Sequence, residues 1–401
     1  MQIAKPMLRL RWPAPMRPSR PYVGGALVGA VVLALVLVQS SPSPSQMNNP
    51  APTDGVREAA AALRADGFRA DFAQDYVGAR ALVARDDPYP ALGPAFAKVG
   101  LIWPVPASST HPPTAFLAAL PVAAFRWPVA YAVWAWLMIA TLVIVLWALG
   151  AGGPRALAFG PLLLLWPPIA WSIGQLTLIL LLTLCLAWRW RDRPICAGAV
   201  IGVAAVVKLV PALLLVPLIL RRRWGALAGF AAVTAGAILA VAALDPRALS
   251  DYLTAGREAS RATIARSDNG ALLPWLGHVH GWPAAIAGAV FVVLVVARRP
   301  FSWAHWSWAT VALLPIAWVY SLAVLGPVLV ATARSKQLLV GALALLAIAY
   351  STIAPPYGDT AAHYQAAIVA LTGLALLAAR RDLNLDLTAA ESPVAVAETD
   401  I

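Results

Sequence analysis

From residue 22 onward the chain alternates between apolar blocks and short polar breaks. The blocks fall near 22–38, 112–125, 128–149, 155–171, 175–188, 195–207, 209–220, 225–243, 281–297, 303–317, 319–332, 337–353 and 361–379. The pattern predicts an all-α protein, a polytopic transmembrane helix bundle. Several blocks hold only 12–15 residues, fewer than the ~20 that a full crossing takes. The basic clusters between blocks help to interpret the short ones. Read as one helix, 195–220 would send Arg189–Arg193 and Arg221–Arg223 to opposite sides. Read as a hairpin of two short helices, it keeps both clusters on one side, with Lys208 at the apex. The same reasoning folds 303–332 into a hairpin with Pro315, Trp318 and Tyr320 near its outer turn. Parity then requires one early block not to cross, and the Pro-flanked 112–125 segment is expected only to dip into the bilayer. About twelve spans result, with both termini on the cytoplasmic side.

The longest polar stretch, 39–110, is an expected extracytoplasmic loop. It opens with a Ser/Pro linker, Ser40 to Pro52, and such sequences are extended. In its later part Phe72, Tyr76, Ala79 and Val83 recur at helical spacing and leave Asp75 and Arg80 on other faces. That predicts a helix lying flat on the outer leaflet. A second outer loop is expected over 244–280. The chain therefore divides into a basic cytoplasmic N-terminus (1–20), a transmembrane domain (21–380) and a disordered acidic tail (381–401). The 22–38 block reads as an uncleaved signal anchor or as a secretory signal, and both put the N-terminus inside.

Composition agrees with membrane residence. Apolar residues make up 61% of the chain and charged residues 12%, half the share of a soluble domain. The 17 tryptophans suit many helix ends at an interface. A net charge of +12 invites a nucleic-acid reading, but its placement argues against one. Arginines sit in short clusters between apolar blocks, as the positive-inside rule requires of cytoplasmic loops. No nucleic-acid partner is expected; membrane lipids are. Cys185 and Cys196 fall at an expected membrane boundary and imply neither a disulfide nor a metal site.

Polar residues inside apolar surroundings carry the functional information, since an ionisable side chain at mid-bilayer costs about 2.5–3.5 kcal/mol. With the topology above, an unusual set shares the outer side. It comprises Asp71, Asp75, Asp86 and Asp87, then His111 at the re-entry, Gln175 and Lys208. Arg257, Arg261, Arg266 and Asn269 follow in the second loop, with Trp318 and Tyr320 beyond them. Each has a plain structural alternative. Lys208 at an apex can snorkel to water. Asp71 can cap a helix, with Gln74 completing a capping box. Asp87 before Pro88 suits a turn. Gln175 and Asn269 can satisfy helix ends, and His111 can simply mark the interface.

At these residues the chain resembles glycosyltransferase family 87, membrane enzymes of the GT-C fold that use polyprenyl-phosphate sugars. The resemblance rests on Asp71-Phe72 with Tyr76, Gly78-Ala79-Arg80-Ala81-Leu82, Asp87-Pro88-Tyr89 and His111-Pro112-Pro113. It continues through Gly174-Gln175-Leu176-Thr177, Lys208 with Pro211, Arg221-Arg222-Arg223-Trp224, Asn269 and Pro315-Ile316-Ala317-Trp318-Val319-Tyr320. These pieces appear in the family's order over residues 71 to about 320. Two departures stand out. The family often has a histidine where this chain has Tyr320, and an asparagine after the Gly-Gln pair where this chain has Leu176.

The resemblance implies inverting transfer of a sugar, mannose being the family's most familiar one, from a polyprenyl-phosphate donor to an acceptor hydroxyl of a glycolipid or glycan. It implies Asp71 as general base with Asp75 as the competing candidate. Lys208 would partner the donor phosphate, with Arg261 and Arg266 weaker candidates. Gln175, Asn269, His111, Trp318 and Tyr320 would contact sugar or acceptor. No cofactor beyond the lipid-linked sugar is expected, and no metal-ligand spacing is evident in the sequence. The rival reading is a transporter or flippase. Such proteins commonly carry duplicated halves with a midplane site, whereas here the polar residues gather at one surface. An inactive subunit of an assembly complex is the third reading.

Overall fold

The computed structural model describes residues 72–98, 108–150, 176–267, 269–317, 319–325 and 359–378. The 22–38, 155–171 and 337–353 blocks, the N-terminus and the acidic tail lie outside these residues, as do Asp71, Gln175 and Trp318. Among the described residues every regular element is helical. The order is α1 Phe72–Ala84, α2 Leu92–Ala97, α3 Pro113–Phe116, α4 Leu120–Ala123, α5 Trp127–Gly150, α6 Thr177–Arg189 and α7 Pro194–Val207. A 3₁₀ turn Val210–Leu214 leads into α8 Leu215–Leu220. Then come α9 Gly225–Leu244, α10 Ala248–Asp251, a π turn Tyr252–Gly256, α11 Arg257–Ile264, α12 Leu272–His280 and α13 Trp282–Arg298. The order closes with α14 Trp303–Ala312, a 3₁₀ helix Val319–Leu325 and α15 Asp359–Ala378.

α9 is long and apolar enough to cross a membrane, and only 11% of its most apolar window is buried in the protein. Leu227, Ile238 and Leu239 on α9 stand exposed, as do Ile286, Val290, Val293 and Leu294 on α13. Apolar faces of this extent are unusual on soluble monomers.

The hairpin expected over 195–220 is present. α7 and α9 run side by side in the same direction. Ile195 lies beside Gly225 and Gly229, Gly198 beside Ala226, and Gly202 beside Phe230 and Val233. The chain between them must therefore travel back. It breaks at Lys208, whose backbone is extended (φ −145°, ψ 127°), and returns through the 3₁₀ turn and α8. The 3₁₀ geometry helps, because it rises about 2.0 Å per residue against 1.5 Å in an α-helix. Small residues let α7 and α9 meet backbone to backbone: a Cβ on Gly198 would stand 1.8 Å from the Ala226 carbonyl oxygen, and one on Gly229 would stand 2.1 Å from that of Ile195.

This hairpin gathers the basic turns at one end of the bundle. An Arg223 guanidinium nitrogen donates to the Arg191 carbonyl and lies 3.4 Å from the Asp192 carboxylate. Arg191 stacks over the Trp188 ring at 4.2 Å, and Trp188 meets Trp303 at 6.2 Å. Arg221 lies over Phe301 at 5.1 Å. The turns at 189–193, 221–223 and 298–301 thus form a single arginine-rich end.

The 112–125 segment, expected not to cross, consists of two four-residue helices, α3 and α4, too short to do so. One expectation changes: α1, expected to lie flat on a surface, instead sinks into the protein. Phe72, Ala73, Asp75, Tyr76, Gly78, Ala79 and Leu82 are all buried, while Val83, placed on the apolar face by its spacing, is 62% exposed. The cause is aromatic. Phe72 stacks on Trp134 at 4.3 Å and Trp127 at 5.9 Å, and Tyr76 meets Trp127 edge-on at 5.3 Å. These contacts from α5 take the face that the spacing marks as apolar, while Asp75 and Gly78 on a neighbouring side meet His111 and Phe116.

Candidate active site

The end opposite the arginine turns is built around Asp75 and His111. Asp75, on the first turn of α1, is completely buried, and its Oδ1 lies 2.7 Å from Nδ1 of His111. Imidazole and carboxylate at that distance make a charge-assisted contact. The backbone of His111 is fixed on both sides. Its N–H donates to the Ser109 hydroxyl at 3.2 Å, and its carbonyl accepts from the Tyr89 hydroxyl at 2.9 Å. Ser109 in turn donates to the Gln74 side-chain carbonyl at 2.9 Å. Gln74 precedes Asp75, so Gln74, Ser109, His111 and Asp75 close a ring that ties the re-entering chain to α1. The side chain that a capping box at Asp71 would use is thereby engaged with Ser109.

Three elements converge on this ring. α3 follows His111 directly, and its Phe116 ring packs against Gly78 so closely that a Cβ there would stand 2.6 Å from it. The Thr114 hydroxyl donates to the Val206 carbonyl at 2.5 Å, tying the re-entry to the last turn of α7 and so to the break at Lys208. Tyr89 packs against Phe116 at 5.6 Å and Tyr252 at 5.7 Å, bringing the π turn of the second loop onto the first. Burial and the neighbouring Tyr252 and Asp75 push the Tyr89 phenol well above the ordinary tyrosine range. The Asp251 carboxyl is raised by partial burial and by nearby Asp87 and Asp245. Asp87 accepts from the Tyr89 N–H at 2.8 Å, the expected turn-forming bond.

The remaining sequence candidates lie elsewhere. Asn269 is buried, and its amide is fully engaged by backbone. It donates to the carbonyls of Ile264 (3.3 Å) and Pro315 (3.0 Å) and accepts from the N–H groups of Ala271 (3.2 Å) and Ala317 (3.0 Å). Two donors and two acceptors exhaust the group, so Asn269 is a clamp between the second loop and the chain after α14. That clamp lies inside the bundle. α14 climbs only about 15 Å from the arginine end, against about 30 Å for α9, and Leu273 of α12 lies beside Gly288 in mid-α13. The break at Pro315, expected at the outer surface, is correspondingly deep. Arg261 and Arg266 are exposed on and after α11, and Tyr320 stands on the 3₁₀ helix Val319–Leu325. Among the described residues no group of three His, Cys, Asp or Glu side chains is placed to hold a metal ion.

The sequence raised His111 as a candidate but gave no sign of its pairing with Asp75, 36 residues away. It passed over Tyr89 and Tyr252 as site residues.

The sequence model of glycosyltransferase family 87 matches residues 110–314 of the 401. The chain belongs to glycosyltransferase family 87. The match opens one residue before His111 and takes in the Lys208 hairpin, the arginine turns and Asn269, with α1 and Asp75 before it and Pro315 after it. No curated protein and no solved structure matches the chain. As a member of a glycosyltransferase family, the chain transfers a sugar from a donor to an acceptor, which sets it apart from a transporter.

Proposed function

We propose that the chain is a GT-C type membrane enzyme that moves a sugar, mannose in the simplest case, from a polyprenyl-phosphate donor to an acceptor hydroxyl of a glycolipid or glycan, with inversion, at the extracytoplasmic face. The observation that carries this reading is the buried Asp75–His111 contact of 2.7 Å at the end of the bundle opposite the arginine turns. Under the positive-inside rule the arginine end is cytoplasmic, so the Asp75 end faces outward. The uncovered apolar faces of α9 and α13 supply the surface that lipid would cover. A donor anchored in the same bilayer needs only its phosphate and sugar to reach the polar end.

The acceptor oxygen attacks the anomeric carbon as the bond from that carbon to the phosphate oxygen breaks. The proton leaves the acceptor for a carboxylate, and polyprenyl phosphate departs with the added negative charge. Asp71 is the general base in this reading. Asp75, wholly buried and engaged with His111, is a positioning residue that fixes the imidazole. Lys208, tied to the same region through Thr114 and Val206, offers the cation on which phosphate charge can settle.

The test is transfer of labelled mannose from polyprenyl-phosphate mannose by the purified protein. Asp71→Asn is expected to keep the fold and lose about 10²–10⁴-fold in turnover, the usual contribution of a positioned base. A fully active Asp71→Asn protein removes the assignment.

A further inference from the structure

The arginine end is more than an orientation signal. The turns at 189–193, 221–223 and 298–299 hold eight arginines and a single carboxylate, Asp192, which Arg223 already approaches at 3.4 Å. Three of the guanidinium groups are fixed in place. Arg191 lies over Trp188, Arg221 lies over Phe301, and Arg223 is tied to the Arg191 carbonyl. Like charges brought together this way repel one another, and each stack fixes its guanidinium at a protein–solvent boundary. Arg222 adds a backbone in the left-handed region (φ 56°), which non-glycine residues adopt rarely. Together with Arg298 it is exposed. Trp224 (59% exposed) and Phe301 (38% exposed) flank the cluster, with Leu220 uncovered beside them. Aromatic and aliphatic side chains next to guanidinium groups match the boundary between acyl chains and phosphate headgroups.

We infer that this end is a binding site for an anionic phospholipid, its headgroup phosphate held by the arginines of the three turns and its upper acyl chain by Trp224, Phe301 and Leu220. The inference rests on the membrane placement proposed above. It assigns a ligand to the end of the bundle remote from sugar transfer. Three helical hairpins meet there, so one headgroup bridging them would clamp α6, α7, α8, α9, α13 and α14 together. A rival occupant is the chain's own acidic tail, which follows α15.

The experiment uses the full-length protein purified in mild detergent and exchanged into mixed micelles of phosphatidylglycerol and phosphatidylcholine. Lipid retained after gel filtration is counted, and thermal stability and sugar transfer are measured in parallel. The wild type is expected to retain phosphatidylglycerol selectively and to melt higher with it. Arg222→Gln with Arg298→Gln is expected to reduce that retention by about fivefold for each arginine removed, with detergent-phase sugar transfer unchanged. The same lysine-for-arginine pair is expected to keep most of it. Equal retention of both lipids by the wild type overturns the inference, as does undiminished retention in the glutamine pair. A protein lacking residues 382–401 that gains phosphatidylglycerol several-fold overturns it in favour of the tail as occupant. Loss of sugar transfer in all proteins, with lipid selectivity intact, would count against the proposed reaction and leave the lipid site standing.

Discussion

A buried aspartate usually costs more than it returns unless its partner is geometrically fixed. Asp75 meets that condition through a histidine held at its ring, its N–H and its carbonyl. Removing Ser109 or Tyr89 therefore acts on His111 indirectly. Tyr89→Phe deletes one hydrogen bond and keeps the ring that packs on Phe116 and Tyr252. It is expected to lower kcat several-fold while leaving KM for the donor near that of the wild type. Steady-state transfer kinetics check this. Burial favours the neutral phenol of Tyr89 in the folded protein. The stability this gives is present below pH ~10, where free tyrosine ionises, and is lost as pH rises through the higher folded value. Absorbance titration of the folded protein should accordingly show no difference between wild type and Tyr89→Phe through the ordinary tyrosine range. A phenol that ionises with the exposed tyrosines would contradict the burial described. Asn269→Ala strands backbone groups at four contacts and is expected to cost about 1–3 kcal/mol or more, read by thermal denaturation. Among single residues the sequence revealed which ones were costly and hid which were partners. Asp75 and His111 stand 36 positions apart, and no periodicity connects a loop helix to a re-entry turn. Asn269 carried equal signals for a ligand and for a clamp, and only its four bonds decide.

Helix packing shows the same division. The charge clusters at 189–193 and 221–223 were enough to infer a hairpin, because one long helix would have split them. The parallel pairing of α7 with α9 was not legible, since glycines at 198, 202 and 229 lie in blocks apolar on every side. Their spacing points to close packing but not to a partner. Gly198→Ala and Gly229→Ala each force a backbone shift where a Cβ would overlap a carbonyl oxygen. Each is expected to lower the melting temperature by several degrees. Gly236→Ala, with nothing within 4 Å of its added Cβ, is the control and is expected to leave stability unchanged or raise it slightly. Ala is the better helix former, so an equal loss at the uncrowded Gly236 would contradict close packing as the cause. α1 shows the reverse failure. Its periodicity predicted one apolar face, and aromatic rings of α5 cover that face, whereas His111 and Phe116 cover a second side at Asp75 and Gly78. Burial on several sides arises from tertiary neighbours that a 13-residue window cannot contain.

Across the whole molecule the governing feature is polarity from end to end. Arginine turns occupy one end. The Asp75–His111 ring, the Lys208 break and the Tyr89–Tyr252 contact occupy the other, and uncovered apolar helix faces lie between. Basic clusters separated by apolar blocks made this polarity visible in the sequence. The inward dip of the second loop was not visible, because 265–271 reads as polar loop and meets Pro315 only through tertiary hydrogen bonds. The most direct measurement of the account is transfer of labelled sugar from polyprenyl phosphate by purified wild type, Asp75→Asn and His111→Ala, each checked for its fold. The wild type should transfer, and both variants should lose about tenfold or more in turnover, a smaller loss than the ~10²-fold or more expected on removing the base itself. Wild-type turnover in folded Asp75→Asn and His111→Ala proteins would show that sugar transfer takes place elsewhere in the molecule.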